Sequence, residues 1–259
     1  MTEAILKAKG YEEPGTALEW HRHITSGEDP FRINPGGLYD HIQRWIEKHN
    51  LGVDKRIIDV CCGDGITSLK ASEVMGASIV GVDISEPLIV IAREDNKSQP
   101  LLQFIVGDAS NLESIENGAF HAGMMINGIF HLYPEQMILS LKELSRVTKG
   151  PILITTINSD AFEFFAGAFD NQHRETVELK DYLPTTIVVG DPSVAGPQGT
   201  RIVLKNTPFV MHPPDNLQKA FAEAGLIVDQ TLSFGPTSDV GGPDGLDLFF
   251  AIELSHQSS

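Results

Sequence analysis

Apolar positions along this chain follow two rhythms, and the rhythm changes near residue 55. Before that point, "LYDHIQRWIEKHN" sets Leu38, Ile42, Trp45 and Ile46 on one helical stripe, with a stop at Asn50–Gly52. The stretch ahead of it, "HITSGEDPFRINPGG", is rich in breakers and reads as a loop. From residue 55 onward, short apolar runs alternate with amphipathic helices. "RIIDVC", "SIVGVD", "LLQFIVGD", "FHAGMMIN" and "PILITTIN" read as five buried strands. Between them, "ITSLKASEVMG" predicts a helix with Ile66, Leu69 and Val74 inward. "SEPLIVIAREDN" predicts one with Ser85 as N-cap and Pro87 in the first turn, and "EQMILSLKELSRVT" one burying Met137, Leu141 and Leu144. Strand and helix alternating in this way predict an α/β fold, a doubly wound, mostly parallel sheet with right-handed crossovers.

Residues 158–212 break the pattern. "DAFEFFAGAF" is aromatic-rich, and "VVGDPSVAGPQGTRIVL" reads as loop with pieces of strand. An insertion of this length after a core strand is expected to form a lid or pocket wall. "DNLQKAFAEAGL" restores a helix with Leu217, Ala220, Phe221 and Ala224, and "IVDQTLSF" and "LDLFFAIEL" close the chain as an antiparallel pair. The chain therefore reads as one domain, 1–259. Its parts are an N-terminal helical cap (1–52), a ligand-binding core (53–157), an insertion (158–212), and a closing helix and strand pair (213–259). No internal repeat interrupts it.

Composition narrows the function. Thirty-five acids against 19 bases give a net charge of −16, a surface that repels phosphate backbones and anionic membranes. Nucleic acid and membrane are not the expected partners, and no apolar run approaches the ~18 residues a span needs. The two cysteines, Cys61 and Cys62, are adjacent. Adjacent thiols close no long loop and lack the spacing of a zinc site, so a reducing cytoplasm is expected and a metal is not.

Three acids end the first three strands: Asp59, Asp83 and Asp108. Ligands of doubly wound sheets sit outside those strand ends. After Asp59 come Gly63 and Gly65, whose missing side chains let backbone N–H groups and a helix N-terminus approach a ligand. Asp83 is placed to accept from the hydroxyls of a ribose, and Asp108 from an adenine amine. Either group alone fits a tight turn or a helix cap; three in order at this spacing are far more specific.

"DVCCGDG", "VGVDIS" and "GDA", followed by "LKELSRVTKGPILITTIN", resemble the successive motifs of class I S-adenosylmethionine-dependent methyltransferases. The resemblance covers residues 55–157 and the closing strand pair. It implies a seven-stranded sheet of order 3-2-1-4-5-7-6 with strand seven antiparallel. It implies S-adenosyl-L-methionine as cofactor and S-adenosyl-L-homocysteine as product. Asp59 and the Cys61–Gly65 loop would serve the amino-acid end, Asp83 and Ile84 the ribose and adenine, Asp108 and Ala109 the adenine edge, and Asn127 the region near the transfer point. Two departures stand out. Cys61 replaces the usual first Gly of the loop, and Phe120–His121 replaces an aromatic–Asp pair on strand four. A nicotinamide oxidoreductase is the rival, but "GDGITS" matches its loop only in part and no Tyr-x-x-x-Lys pair is present.

"NGIFH" lacks the Asn/Asp-Pro-Pro-Tyr/Phe signature of enzymes that methylate amides and bases. A small-molecule acceptor is expected, with O- ahead of N- or C-methylation, and homo-oligomerisation stays open. His131 is the candidate base. His21 and His23 face different sides of a cap helix; Phe162, Phe164, Phe165 and Phe169 fit either a pocket wall or core packing. His173 and His212 read as loop residues. The alternative is a protein that binds this cofactor without transferring methyl, using the pocket for another reaction or as a ligand-binding module.

Overall fold

The computed structural model describes residues 37–161, 173–189, 208–236 and 244–257. Elements are numbered along the chain. The central sheet comprises β1 (Arg56–Val60), β2 (Ser78–Asp83), β3 (Leu102–Val106), β4 (Ala122–Met125), β5 (Ile152–Ile157), β9 (Leu226–Pro236) and β10 (Asp247–His256). Its order is β3-β2-β1-β4-β5-β10-β9. Neighbours from β3 to β5 pair in parallel, and β10 runs antiparallel to both β5 and β9. This is the expected order, with the seventh strand of the sheet reversed.

Successive strand residues feed two apolar layers, as a pleat with a period of two requires. Ile57, Ile79, Met124 and Leu153 pack on one face; Ile58, Val60, Val80, Val82, Met125 and Ile154 pack on the other. Helix α1 (Leu38–Lys48) buries Leu38, Ile42, Trp45 and Ile46 in the first layer. Lys48 then reaches Glu253 of β10, Nζ to Oε2 2.6 Å. The described part of the cap is thus a helix that joins Ala71 and Leu88 in covering the first face. Helices α4 (Pro134–Val147) and α5 (Pro214–Glu223) cover the second face through Met137, Leu141, Leu144, Leu217, Ala220 and Phe221.

Helix α2 (Ile66–Met75) departs from the sequence expectation. Val74 is exposed and Ile66 and Leu69 are half-buried, while Ser68, Ala71 and Ser72 are the buried face. Small side chains let the helix lie close to the sheet, and both hydroxyls are satisfied: Ser68 donates to Asp59 and Ser72 to the carbonyl of Ala77. Hydrophobic spacing alone misses a face built this way. Helix α3 (Glu86–Asp95) follows expectation, with Ser85 Oγ accepting from the N–H of Leu88 at 3.4 Å.

The insertion builds its own sheet. Strands β6 (His173–Val177), β7 (Thr185–Val189) and β8 (Pro208–Met211) pair antiparallel in sequence order. The pieces of strand expected there are therefore a second sheet, with Ile187, Val188, Phe209 and Val210 buried.

Trp45 is fully buried in the first layer. Trp45→Ala should remove about 3–5 kcal/mol of stability, read as a lower urea midpoint at unchanged slope.

Candidate active site

The loop leaving β1 turns sharply into α2. Cys61, Gly63 and Gly65 have φ of +59°, +56° and +78°, so every second residue is left-handed. That conformation is costly for residues with a Cβ, and Cys61 alone of the three carries one. The departure at Cys61 is thus first a matter of backbone conformation, with side-chain bulk second.

The two glycines do different jobs. A Cβ on Gly63 would meet nothing within 4 Å, so this residue presents open backbone. A Cβ on Gly65 would strike the Phe104 ring at 2.6 Å. Gly65 is required by packing under β3, a role that the expected ligand approach did not include. Its position at the N-cap of α2 keeps it at the helix entrance.

Asp83 binds the loop directly. Its Oδ2 accepts from the N–H of Gly63 at 2.8 Å and its Oδ1 from the N–H of Ser85 at 2.9 Å. One carboxyl therefore ties the end of β2 to both flanking turns. Burial pushes its pKa up, opposed by these backbone donors. Ile84 beside it is half-buried. Asp59 lies deeper, 1% exposed, with Oδ2 accepting from Ser68 Oγ at 2.6 Å. Its pKa is pushed up to about 7, chiefly by burial, with Asp83 adding to the rise and Ser68 opposing it. Asp59 meets the loop from beneath, a position that the strand-end spacing could not distinguish from an open one.

Asp108 Oδ1 accepts from the N–H of Ser110 at 2.9 Å and from its hydroxyl at 2.6 Å. Ala109 is buried. The loop beyond them is held from α4: Glu143 accepts from the N–H of Leu112, and Arg146 donates to the carbonyls of Leu112 and Ile115. This clamp escaped the sequence reading, where the pair passes for surface charge. Asn127 follows β4 at φ +55°. Its N–H donates to Thr155 Oγ1 at 2.7 Å, and that hydroxyl donates back to Asn127 Oδ1 at 2.8 Å.

Both thiols are free, and they sit in different apolar clusters: Cys61 against the layer of Ile58 and Met125, Cys62 beside Ile89, Ala92 and Phe104. Burial and the surrounding acids push both thiol pKa values well above the ordinary value, so the loop carries thiols, not thiolates. Among the described residues no His, Cys, Asp and Glu group has the makings of a metal site, and no helix is long and apolar enough to cross a membrane.

His131 ends a short 3₁₀ turn after β4 (Ile129–His131). Its ring lies 4.4 Å from Phe130 and 5.0 Å, edge-on, from Phe209 of β8. His212, expected as a loop residue, does lie in the connection after β8, and its side chain is buried there. Its Nε2 lies 3.0 Å from the carbonyl of Leu132 and 3.3 Å from that of Ile129. Carbonyls only accept, so Nε2 carries the proton. Burial pushes this imidazole down to about 4. His212 and Phe209 thus fasten the inserted sheet to the turn bearing His131. His173 belongs to β6. His21, His23, Phe162, Phe164, Phe165 and Phe169 lie outside the described residues.

Gly63, Asp83, Asp108 and Asn127 thus gather at the carboxyl edge of β1–β4, in the crevice of a Rossmann-like sheet. Four carboxyls around one loop, Asp59, Asp64, Asp83 and Asp108, suit a ligand bearing positive charge; a pyrophosphate would meet them as like charge. Residues 57–150 match the family model described as a methyltransferase domain. Demethylmenaquinone methyltransferase of Staphylococcus saprophyticus is 28% identical over 119 residues, 45% of this chain and 50% of that protein. Human EEF1A lysine methyltransferase 2 is 29% identical over 153 residues, 55% of this chain and 62% of that protein. The chain thus spans about half to three-fifths of the length of these curated relatives. The fold is shared with magnesium protoporphyrin IX methyltransferase of Synechocystis, solved with bound S-adenosylhomocysteine: TM-score 0.63 at 13% identity, covering 96% of this chain and 98% of that one. Residues 57–150 are thus a methyltransferase domain of the S-adenosylmethionine-dependent kind.

The high pKa of Asp59 makes a stability prediction. Unfolded, this carboxyl ionises near 3.8; folded, near 7. Stability should therefore fall as pH rises from about 4 to 7 and then level off, by on the order of 2–4 kcal/mol. Asp59→Asn keeps an acceptor for Ser68 and removes the charge. It should raise the midpoint of thermal unfolding at pH 8, and the advantage should vanish by pH 4.

Proposed function

We propose that this chain transfers a methyl group from S-adenosylmethionine to a small-molecule acceptor, with an oxygen nucleophile ahead of nitrogen or carbon. The observation that carries this reading is the Asp83–Gly63 hydrogen bond, which holds an open, left-handed loop beside a cluster of acids at the carboxyl edge of the sheet. Bound there, the cofactor supplies an electrophilic methyl on a sulfonium. Gly63 offers open backbone to the amino-acid end, above Asp59 and Cys61. Asp83, with Ile84, takes the ribose and the start of the adenine; Asp108 and Ala109 take the adenine edge. Asn127, locked by Thr155, borders the transfer point.

Names of relatives support a small acceptor only in part: one specifies a demethylmenaquinone and another a protein lysine. The aromatic cluster of Phe130, His131 and Phe209 beside the turn after β4 favours the former kind. The chain's own task is then to align the acceptor, exclude water and take its proton. His131, beside β8 of the inserted sheet, is the group proposed for the proton.

Incubation with methyl-labelled cofactor and a panel of phenols, quinols, carboxylic acids and amines should yield S-adenosylhomocysteine stoichiometric with one methylated product. Binding without turnover across the panel would instead make the chain a cofactor-binding module. Asp83→Ala should weaken cofactor binding by roughly 1–3 kcal/mol in calorimetry; unchanged affinity in a folded variant sinks the site assignment. His131→Gln should lower kcat at least about tenfold with cofactor affinity intact. A kcat that does not move would leave His131 as packing against Phe130 and Phe209.

A further inference from the structure

We propose that Gly128 is a positioning residue for the cofactor loop, acting as one unit with Cys61. The inference rests on the reading of that loop as the S-adenosylmethionine site.

Gly128 has φ −93° and ψ −36°, a conformation open to any residue. Its own backbone therefore does not demand glycine. What excludes a side chain is the loop opposite: a Cβ here would lie 2.5 Å from Cys61 Cβ and 3.2 Å from its Sγ, with Met125 Cγ at 3.1 Å. Cys61 in turn holds the left-handed conformation that favours glycine. The side chain present at 61 is thus accommodated by the side chain missing at 128. The other thiol also faces a glycine, although there the Phe104 ring is nearer: a Cβ on Gly81 of β2 would lie 2.6 Å from Phe104 and 2.8 Å from Cys62 Sγ.

Neither side of the Cys61–Gly128 contact is free to slide. Asn127, next to Gly128, is locked to Thr155 of β5 by two hydrogen bonds. Beyond Cys61, the Cys62 N–H is bonded to the carbonyl of Val82 at 3.1 Å and the Gly63 N–H to Asp83. Pressure at residue 128 is therefore transmitted to the loop whose Gly63 backbone faces the open side.

A double-mutant cycle tests the pairing. Gly128→Ala should weaken S-adenosylhomocysteine binding about tenfold or more in calorimetry and lower the thermal midpoint of the ligand-free chain. Cys61→Gly removes both the obstacle and the left-handed Cβ, and its own affinity and midpoint are the reference against which the double variant is read. Adding Cys61→Gly to Gly128→Ala should restore both affinity and midpoint. Gly123→Ala is the control: its Cβ would press on Leu144 and Thr148, away from the loop, so it should lower the midpoint and leave affinity unchanged. If Gly128→Ala fails to fold, recovery of folding in the double variant reads the same coupling. Additive losses, wild-type affinity in Gly128→Ala, or a double variant as weak as the single overturn the proposal. An unmutated chain that binds no S-adenosylhomocysteine overturns the cofactor reading instead, which the ligand-free thermal cycle distinguishes.

Discussion

The site depends on one carboxyl. Asp83 ends β2, accepts from Gly63 across the gap to the first loop, and accepts from Ser85 at the entrance to α3. Without those bonds nothing else in the described set joins Gly63 to β2 through a side chain. The same carboxyl adds to the rise in pKa of Asp59 and of both thiols. A single group thus sets the loop's shape and much of its electrostatics. The arrangement tolerates a partly desolvated acid because backbone N–H groups are fixed donors, and a buried carboxylate needs such partners.

Around that bond the protein is built in layers that each answer a specific demand. The pleat divides apolar residues between two faces; α1, with Ala71 of α2 and Leu88 of α3, covers one, and α4 and α5 cover the other. The parallel strands end together at one edge, which gathers Gly63, Asp83, Asp108 and Asn127. The inserted sheet is fastened over the turn after β4 by His212 and Phe209. A histidine that donates to carbonyls while buried is a fastener that favours neutrality, and its low pKa follows from that burial.

Much of this was legible in the residues. Strand and helix alternate with different periods, so the sheet, its order by resemblance, and the buried stripes of α1, α4 and α5 could be read directly. The strand-end acids could be placed at the crevice, because topology alone puts carboxyl ends there. The inward face of α2 could not be read. Its contacts are made by Ser68, Ala71 and Ser72, and small or hydroxylated residues look like a solvent face until their partners, Asp59 and Ala77, are in place. Nor could the depth of Asp59 be told from that of Asp83: Asp59 is the penultimate residue of β1 and Asp83 the last of β2, and only packing decides which side chain reaches the surface.

What the sequence determined by itself, then, is whatever local periodicity and chain order encode: the class of fold, the strand ends, and the loop in which Cys61 stands where glycine is usual. Tertiary structure decided which groups meet. It set Cys61 against Gly128, Gly65 under Phe104, Thr155 behind Asn127, and His212 beneath the turn that carries His131. These pairs are separated by 28 to 83 residues where a hydrogen bond joins them, and no local rule relates residues so far apart. Close packing does, because a missing side chain on one strand end becomes meaningful only when its neighbour fills the space.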